Sequence, residues 1–347
     1  MSPDSSTTLQ PCIQAFERPF CPLCGSQGEP LYRELKDGLF GAPGRWNLSI
    51  CRSGHCRLVW LNPMPTQEDL WIAYRRYYTH QALRQDASRS FIRKIYRRLR
   101  DVYIQDRFGY GGEKANGCLR LLARAFLLTP YIRQDIIGEV RQLTFVPRGR
   151  LLDIGCGSGD WLHLMRARGW SVEGLDLDET AVANAKDRGL PVHCGTVHDR
   201  KFPEAHFDAV TLNQVIEHVP DPIAVLSECH RILKPGGHLI LYTPNSGSLG
   251  HRVFGRHWRG LEPPRHLHLF GPHSMASAFS SAGFHKLQMR TINSTYVWLE
   301  SVRTRLADRT RPYASALAAR TLAHLEQFYL FFDPVAGECL VVDAVKE

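Results

Sequence analysis

The stretch LLDIGCGSGDW, residues 151–161, sets three glycines in five positions directly after an apolar run that ends in an acid. A helix-like segment, WLHLMRARGW, follows over residues 161–170, so the glycines occupy a strand-to-helix turn. Glycine adopts positive φ and has no Cβ, which lets a ligand lie against the main chain. The turn therefore predicts a bound molecule. Its spacing is GxGxG, at Gly155, Gly157 and Gly159, whereas a pyrophosphate on a helix N-terminus calls for GxGxxG. Asp153, at the strand end, would repel a phosphate and suits an ammonium. Asp176 closes the next strand 23 positions on, where an acid can accept from both hydroxyls of a ribose. An adenosyl ligand with a cationic amino-acid tail fits this set better than a dinucleotide.

Outward from the turn, short apolar runs alternate with amphipathic segments from Arg150 to the end. Strands are expected at RLLDI, SVEGLDL, PVHCG, FDAVTLN, HLILYTP, KLQMRTI and ECLVVDAVK, and helices at 160–168, 178–188, 222–233, 273–282 and within 313–327. That alternation indicates βαβ units and a parallel sheet. The expected fold class is α/β: a seven-stranded Rossmann-like sheet preceded by a small zinc-ribbon or knuckle module and a helical connector. By region, 1–17 is Ser/Thr/Pro-rich and expected to be disordered, 18–65 is the Cys-rich module, 66–149 a helical connector or lid, and 150–347 the sheet domain.

With 347 residues, 44% hydrophobic and 22% charged, the chain has the composition of an ordinary globular protein. No apolar run approaches the length of a membrane span, and the start, MSPDSSTTLQPC, lacks a secretory signal, so a cytoplasmic location is expected. Ten cysteines in a reducing compartment favour metal ligands and buried thiols over disulfides. The net charge of +9 suits an anionic partner, although basic surfaces also occur on proteins that bind none.

FCPLCGS carries Cys21 and Cys24 as CxxC, and ICRSGHCRL carries Cys51 and Cys56. Two such pairs can complete a closed structural zinc site. The second pair is irregular, with four residues between its cysteines and 26 between the pairs, so His55 is an alternative ligand and a metal-free site a further one. The four cysteines are preferred, since thiolates favour a closed zinc site. A redox dithiol is disfavoured because no thioredoxin-like βαβ unit surrounds the motif.

The glycine turn with its two acids resembles the cofactor-binding signature of the Rossmann-like (class I) S-adenosylmethionine-dependent methyltransferases, and the resemblance extends over roughly the last 200 residues. FDAVTLNQVIEHVPDP (207–222), SECHRILKPGGHLILYTPN (227–245) and LEPPRHLHLFGPHSMASAFSSAGF (261–284) are similar to the later segments of that family. The resemblance implies that Gly155 and Gly157, with Gly159 in the same turn, let the cofactor's methionine and ribose approach the backbone. It also implies that Asp153 supports the ammonium, Asp176 the ribose, Thr196 and Val197 the adenine, and Asn213 the methionine part; Asp199 comes late for the adenine amino group. The cysteine module followed by RLVWLNPMP (57–65) resembles that of a group of bacterial methyltransferases acting on sugars or other small metabolites, at carbon, oxygen or nitrogen.

A sulfonium carries an already activated methyl group, so the protein must align the nucleophile and, for a hydroxyl or an acidic carbon, remove a proton. His218, His257, His266 and His268 fall in loops expected at the ligand edge. His266 is the first choice of base and His218 the second, with HLHLF expected to aim His266 and His268 to one side. Tyr242 and Trp258 are candidates for an acceptor pocket. The expected acceptor is a small-molecule, glycan or lipid-linked metabolite. The rival reading is an RNA methyltransferase holding RNA with the zinc module and the basic run RKIYRRLR (93–100); the fourth strand's NQVI lacks the tetrapeptide of base-amine methyltransferases. The same run suits peripheral attachment to an anionic membrane. A non-catalytic cofactor-binding scaffold is the third reading.

Overall fold

The computed structural model describes residues 12–75, 91–111, 115–126, 136, 138–306 and 312–347. Five strands lie in the N-terminal part: β1 (Ala15–Phe16), β2 (Gly28–Leu35), β3 (Trp46–Cys51), β4 (Val59–Leu61) and β5 (Met64–Pro65). Eight follow: β6 (Arg150–Ile154), β7 (Ser171–Asp176), β8 (Val192–Cys194), β9 (Phe207–Asn213), β10 (Leu233–Pro244), β11 (His268–Leu269), β12 (Lys286–Ile292) and β13 (Cys339–Val345).

Seven strands form one sheet of order β12-β13-β10-β9-β6-β7-β8. Every neighbouring pair from β8 to β10 is parallel, while β13 runs antiparallel between β10 and β12. The order reverses at β6, which has β7 on one side and β9 on the other. Ligands of open α/β sheets bind at such a switch point, outside the C-terminal ends of the strands. The glycine turn leaves β6 at that end.

The central strands read as continuous apolar runs because both faces are covered. On one face Leu152, Val210, Leu212 and Leu241 pack with Leu226, Cys229, Met275 and Phe279; on the other, Leu151, Val172 and Ile240 pack with Leu162, Met165, Ile104 and Phe108. The helix Pro222–Ile232 starts where the Asp221 carboxylate accepts from Ala224 N at 3.0 Å and Pro222 fills the first position. Asp178 caps Glu179–Asp187 in the same way. All seven strands expected from the sequence are present, and the helices Leu249–Phe254 and Thr295–Leu306 add to those expected.

The N-terminal module forms a second sheet of order β11-β4-β3-β2. Its edge strand is therefore supplied by residues 268–269, which lie between the fifth and sixth strands of the large sheet. Trp46, Trp60 and Leu61 share one core with Leu269 and Phe270. The region assigned to a disordered terminus, 1–17, needs correction over its second part. Ala15–Phe16 pair antiparallel with Met64–Pro65, and Gln14 N donates to Asp69 Oδ2 at 2.9 Å, so residues 12–17 are tied to the module. Residues 1–11 lie outside the described residues. In the connector the described helices include the short 3-10 turn Leu70–Tyr74 and the α-helices Phe91–Phe108 and Gly117–Phe126.

Candidate active site

The three glycines of the turn all have positive φ, at 74°, 54° and 76° for Gly155, Gly157 and Gly159. Their surroundings divide the labour among them. A Cβ on Gly155 would stand 2.4 Å from Val215 Cγ2, and one on Gly159 would stand 2.4 Å from Leu190 Cδ1, whereas nothing lies within 4 Å of the position a Cβ would take on Gly157. Gly155 and Gly159 thus close the turn onto neighbouring elements, and Gly157 alone presents bare backbone to open space. Gly157 N donates to Asp176 Oδ2 at 2.7 Å, and Asp178 N donates to Asp176 Oδ1 at 2.9 Å. The carboxylate at the end of β7 is held beside the open glycine with further lone pairs left to accept from a ligand.

Asp153 is fully buried. Its register partner across the sheet is Thr211, whose Oγ1 donates to Asp153 Oδ1 at 2.6 Å. Arg141 Nη1 bonds the same oxygen, and the guanidinium lies 3.8 Å from the ring centroid of Trp161. Burial raises the Asp153 pKa and outweighs the opposing pull of Arg141. The carboxylate expected to support a ligand ammonium thus already has one cation, Arg141, on its Oδ1. Asp153 Oδ2 is left without a hydrogen-bond partner among the described residues, which is the one position from which it can still act on a ligand. Gln142 follows, with its Nε2 donating to Tyr242 Oη at 3.1 Å on the next strand but one. Nothing in the sequence marks Arg141 or Gln142, which lie in a polar stretch ahead of the first strand of the domain.

Thr196 caps the short helix Val197–Arg200, and Asp199 completes a capping box, accepting from Thr196 N at 2.9 Å and from Thr196 Oγ1 at 2.7 Å. Asp199 is thereby committed to the cap, which accounts for its late position relative to an adenine contact. Val197 is buried and Asn213, the last residue of β9, is exposed at the C-terminal edge opposite Tyr242. Tyr242 is buried.

The turn Ile216–His218 follows, packed beside the glycine turn through Val215. Glu217, His218 and His266 each offer an atom within 4.8 Å of the others, and the two imidazoles meet edge to face at 4.8 Å between centroids. His218 Nδ1 lies 3.0 Å from the Arg265 carbonyl and 2.9 Å from Tyr74 Oη. The carbonyl can only accept whereas the Tyr74 hydroxyl can accept or donate, so a proton on Nδ1 is the arrangement that satisfies both contacts, and it leaves Nε2 as the basic nitrogen. His266 is enclosed, with Nδ1 on the Gly260 carbonyl at 2.7 Å and Nε2 3.7 Å from Glu262 Oε2. Burial brings His266 down to about 3 and Glu217 up to about 8. Burial alone would raise Glu262, but the facing His266, Arg259 and Arg265 outweigh it and bring Glu262 down to about 2. A group that includes a protonated acid and faces two guanidiniums is better suited to holding and passing a proton than to binding a divalent cation. His268 is separate: it is fully buried, pairs with Trp60 in the module sheet, and lies 6.2 Å from the Phe270 ring. The expectation that it shares a side with His266 is thereby corrected, because strand pairing carries it into the module. Trp258 is likewise committed to the interior, its Nε1 donating to Glu338 at 2.6 Å.

In the module, Cys21, Cys24, Cys51 and Cys56 bring their sulfurs within 4.8 Å of one another, while His55 is exposed. Cys21 faces Cys56 at 3.7 Å and Cys24 faces Cys51 at 3.4 Å, all as free thiols. The first knuckle closes through Gly25 N on the Cys21 carbonyl at 2.9 Å, with Gly25 at φ 73°. The longer second loop closes through Cys56 N and Arg57 N on the Ser53 carbonyl, so the two extra residues are absorbed in a turn. Four thiols converging without a disulfide are the donor set of a tetrahedral soft-metal site.

The basic run lies elsewhere. Lys94, Arg97, Arg98 and Arg100 line a groove with Leu164, Ala167 and Arg168, the far end of the helix that starts at the glycine turn. Arg100 is paired with Glu139 at 3.0 Å. The groove is thus about one helix length, roughly 12 Å, from the glycine turn. Among the described residues no helix is long and apolar enough to cross a membrane.

Residues 120–289 match the family model described as a methyltransferase domain. The ubiquinone biosynthesis O-methyltransferase of Pseudomonas aeruginosa is 40% identical over 103 residues, covering 28% of this chain and 44% of that protein. The protein of the same name from Hahella chejuensis is 37% identical over 121 residues, covering 33% and 50%. The matched stretch thus spans half or less of these relatives' length. Among solved structures, an S-adenosylmethionine-dependent methyltransferase from Thermotoga maritima is 19% identical with a TM-score of 0.43, covering 66% of this chain and 96% of that one.

Proposed function

We propose that this chain, which carries a class I (Rossmann-like) S-adenosylmethionine-dependent methyltransferase domain, transfers a methyl group to a small-molecule, glycan or lipid-linked metabolite in the cytoplasm. The observation that carries the reading is the adjacency of two features at the switch point: the bare backbone of Gly157 beside Asp176, and the turn that leads from β9 through Val215 to His218.

The residues at the turn fit the cofactor. Gly157 leaves room for it, Asp176 accepts from the ribose, Asn213 stands exposed at the same edge, and Thr196 and Val197 follow β8 where the adenine would lie. Asp153 and Arg141 together form a buried anion–cation pair for the amino-acid end, with Asp153 Oδ2 and the guanidinium offering opposite charges. When bound, the cofactor supplies a methyl group on a sulfonium. The protein's own work is to orient the acceptor in line and to take up its proton. His218 takes up that proton, since its own sits on Nδ1 and Nε2 is free to accept. His266, enclosed on both nitrogens, holds the wall behind it.

On the acceptor side stand Tyr74 and His218, backed by the buried pair Glu262 and Arg265, all drawn from the module's exit, the turn after β9 and the loop after β10. The small-molecule reading is supported by the 40% identity over 103 residues to a ubiquinone biosynthesis O-methyltransferase, and the basic groove lies along the distal half of the helix that leaves the glycine turn. The Cys21, Cys24, Cys51 and Cys56 cluster holds a structural Zn2+, leaving no coordination position for substrate. The deciding experiment is transfer from radiolabelled S-adenosylmethionine into fractionated lysate of cells lacking the protein. Label in small molecules, glycans or lipid supports the reading; label in RNA alone overturns it.

A further inference from the structure

Asp37 lies in the loop between β2 and β3 of the cysteine module, far in sequence from the glycine turn, and its side chain is only 2% exposed. Its carboxylate is fully engaged. Oδ1 accepts from Leu39 N at 3.0 Å and Phe40 N at 3.1 Å, and Oδ2 from Ala42 N at 2.9 Å and Arg265 Nη1 at 2.8 Å. Burial would raise this carboxyl, but the hydrogen bond and charge of Arg265 hold it below its ordinary value. The loop is shaped around a permanent anion, and the anion is aimed at one residue.

That residue is Arg265, whose side chain has no exposure. Besides Asp37, its Nε donates to Glu262 Oε1 at 2.9 Å and its Nη1 to the Ala73 carbonyl at 3.0 Å, and the guanidinium lies 4.6 Å from the Phe40 ring centroid. An arginine bound at so many points cannot turn. Its main chain is then fixed too, and the Arg265 carbonyl is the group that receives His218 Nδ1 at 3.0 Å. A second link runs parallel to the first. Leu61 N in β4 donates to the Leu267 carbonyl at 3.0 Å, and Leu267 N donates to the Glu217 carbonyl at 2.8 Å. Module and histidine turn are joined by side chains on one line and by backbone on the other.

We infer that Asp37 is a positioning residue for methyl transfer. By holding Arg265 it fixes the carbonyl that keeps His218 protonated on Nδ1 and basic on Nε2, so the cysteine module is part of the acceptor site. The inference rests on the assignment of His218 as the base. It extends that assignment by giving the module a part in the reaction.

The test uses the full-length, zinc-loaded chain with 15N-labelled histidine. Nitrogen chemical shifts report which imidazole nitrogen carries the proton. In the unaltered protein His218 should show a single Nδ1–H tautomer. In Asp37→Asn the His218 signals should move toward a tautomer mixture, with zinc content and calorimetric affinity for S-adenosylmethionine unchanged. Methyl incorporation into the acceptor fraction should fall on the order of tenfold, in kcat rather than in KM for the cofactor. A control at a half-buried acid of the same module, Glu29→Gln, whose partner is Arg52 at 3.7 Å, should change none of these. Unmoved His218 signals in a folded Asp37→Asn protein would overturn the inference. Should that variant fail to fold, Asp37→Glu and Arg265→Lys ask the same question with charge retained, and a native His218 spectrum in both is the refuting result. Failure of the base assignment reads out separately: His218→Gln would then retain transfer, whatever Asp37→Asn does to the spectrum.

Discussion

Glu326 and Glu338 bury their carboxyls against one another in the C-terminal part of the chain, each capped by an indole. Trp298 Nε1 donates to Glu326 at 2.7 Å and Trp258 Nε1 to Glu338 at 2.6 Å, and both acids are 1% exposed or less. Gly250 N adds a bond to Glu338 at 2.7 Å. Two adjacent buried carboxyls cannot both ionise cheaply. Burial first, and the neighbour's charge second, push Glu326 up to about 9, and burial pushes Glu338 up to about 7.

A falling stability with rising pH is the first expectation. Both groups bind protons more tightly folded than at their ordinary value of 4.5, so their contribution is complete below that value and is lost as pH rises through about 7 and about 9. Urea midpoints taken from about pH 5 to pH 9 should decline, and Glu326→Gln should flatten the decline. A profile as steep in the variant as in the parent would show that the pair is not its source.

Gly155 and Gly157 should respond oppositely to alanine. Gly155→Ala drives its methyl into Val215 and strains a positive φ, and should cost about 2–4 kcal/mol of stability. Gly157→Ala meets no neighbour and should cost only about 1–2 kcal/mol for its φ, while cofactor affinity drops well over tenfold. Denaturation and calorimetry on the two variants separate these outcomes.

For Asp176→Ala the fold should persist and the cofactor should bind at least about tenfold more weakly, equivalent to about 1.4 kcal/mol. Part of that loss comes from freeing Gly157 N, which Asp176 holds at 2.7 Å. Asp176→Glu should recover little, since the longer side chain cannot meet Gly157 N and Asp178 N together. Unchanged affinity would remove Asp176 from the ribose.

Chelation of the metal, or Cys21→Ser, should lower the melting temperature by roughly 5–10 °C and reduce metal content, with cofactor affinity altered less than twofold. Turnover should fall more than affinity, because the module shares its sheet with residues 268–269. Equal loss of affinity and stability would place the module against the cofactor itself.

The seven-stranded sheet was legible because its central strands are apolar on both faces and its turn needs positive φ at three glycines, features that the residue pattern alone displays. Cys21 and Cys24 were legible for a similar reason, since CxxC spacing is local; the irregular Cys51–Cys56 pair left His55 and a metal-free site open, and the fold brings the four sulfurs together. His266 and His218 could be placed at the ligand edge, but which of them is enclosed depends on Gly260 and Glu262 closing around one ring. Arg141, Asp37 and Arg265 left no mark: each is an ordinary polar residue in a loop, and its importance comes from a partner 12, 228 or 47 positions away. Glu326 and Glu338 carry no local signal, and their burial comes from Trp298 and Trp258 folding over them. Sequence periodicity reports which face of an element is covered, and it does not report which polar group the cover carries.

The sheet β11-β4-β3-β2 sets a limit on how this chain can be recombined. Three of its strands lie within residues 28–61 and the fourth at 268–269. A swap of the N-terminal cysteine module between relatives would separate β4 from its own β11 partner and Asp37 from its own Arg265, while β4 keeps β3. The unit that can be transplanted whole is discontinuous, made of residues 12–75 together with the loop from Arg259 to Phe270. Any chimera that divides these two pieces at a single crossover should yield a domain with an open edge, prone to pair with whatever strand it meets.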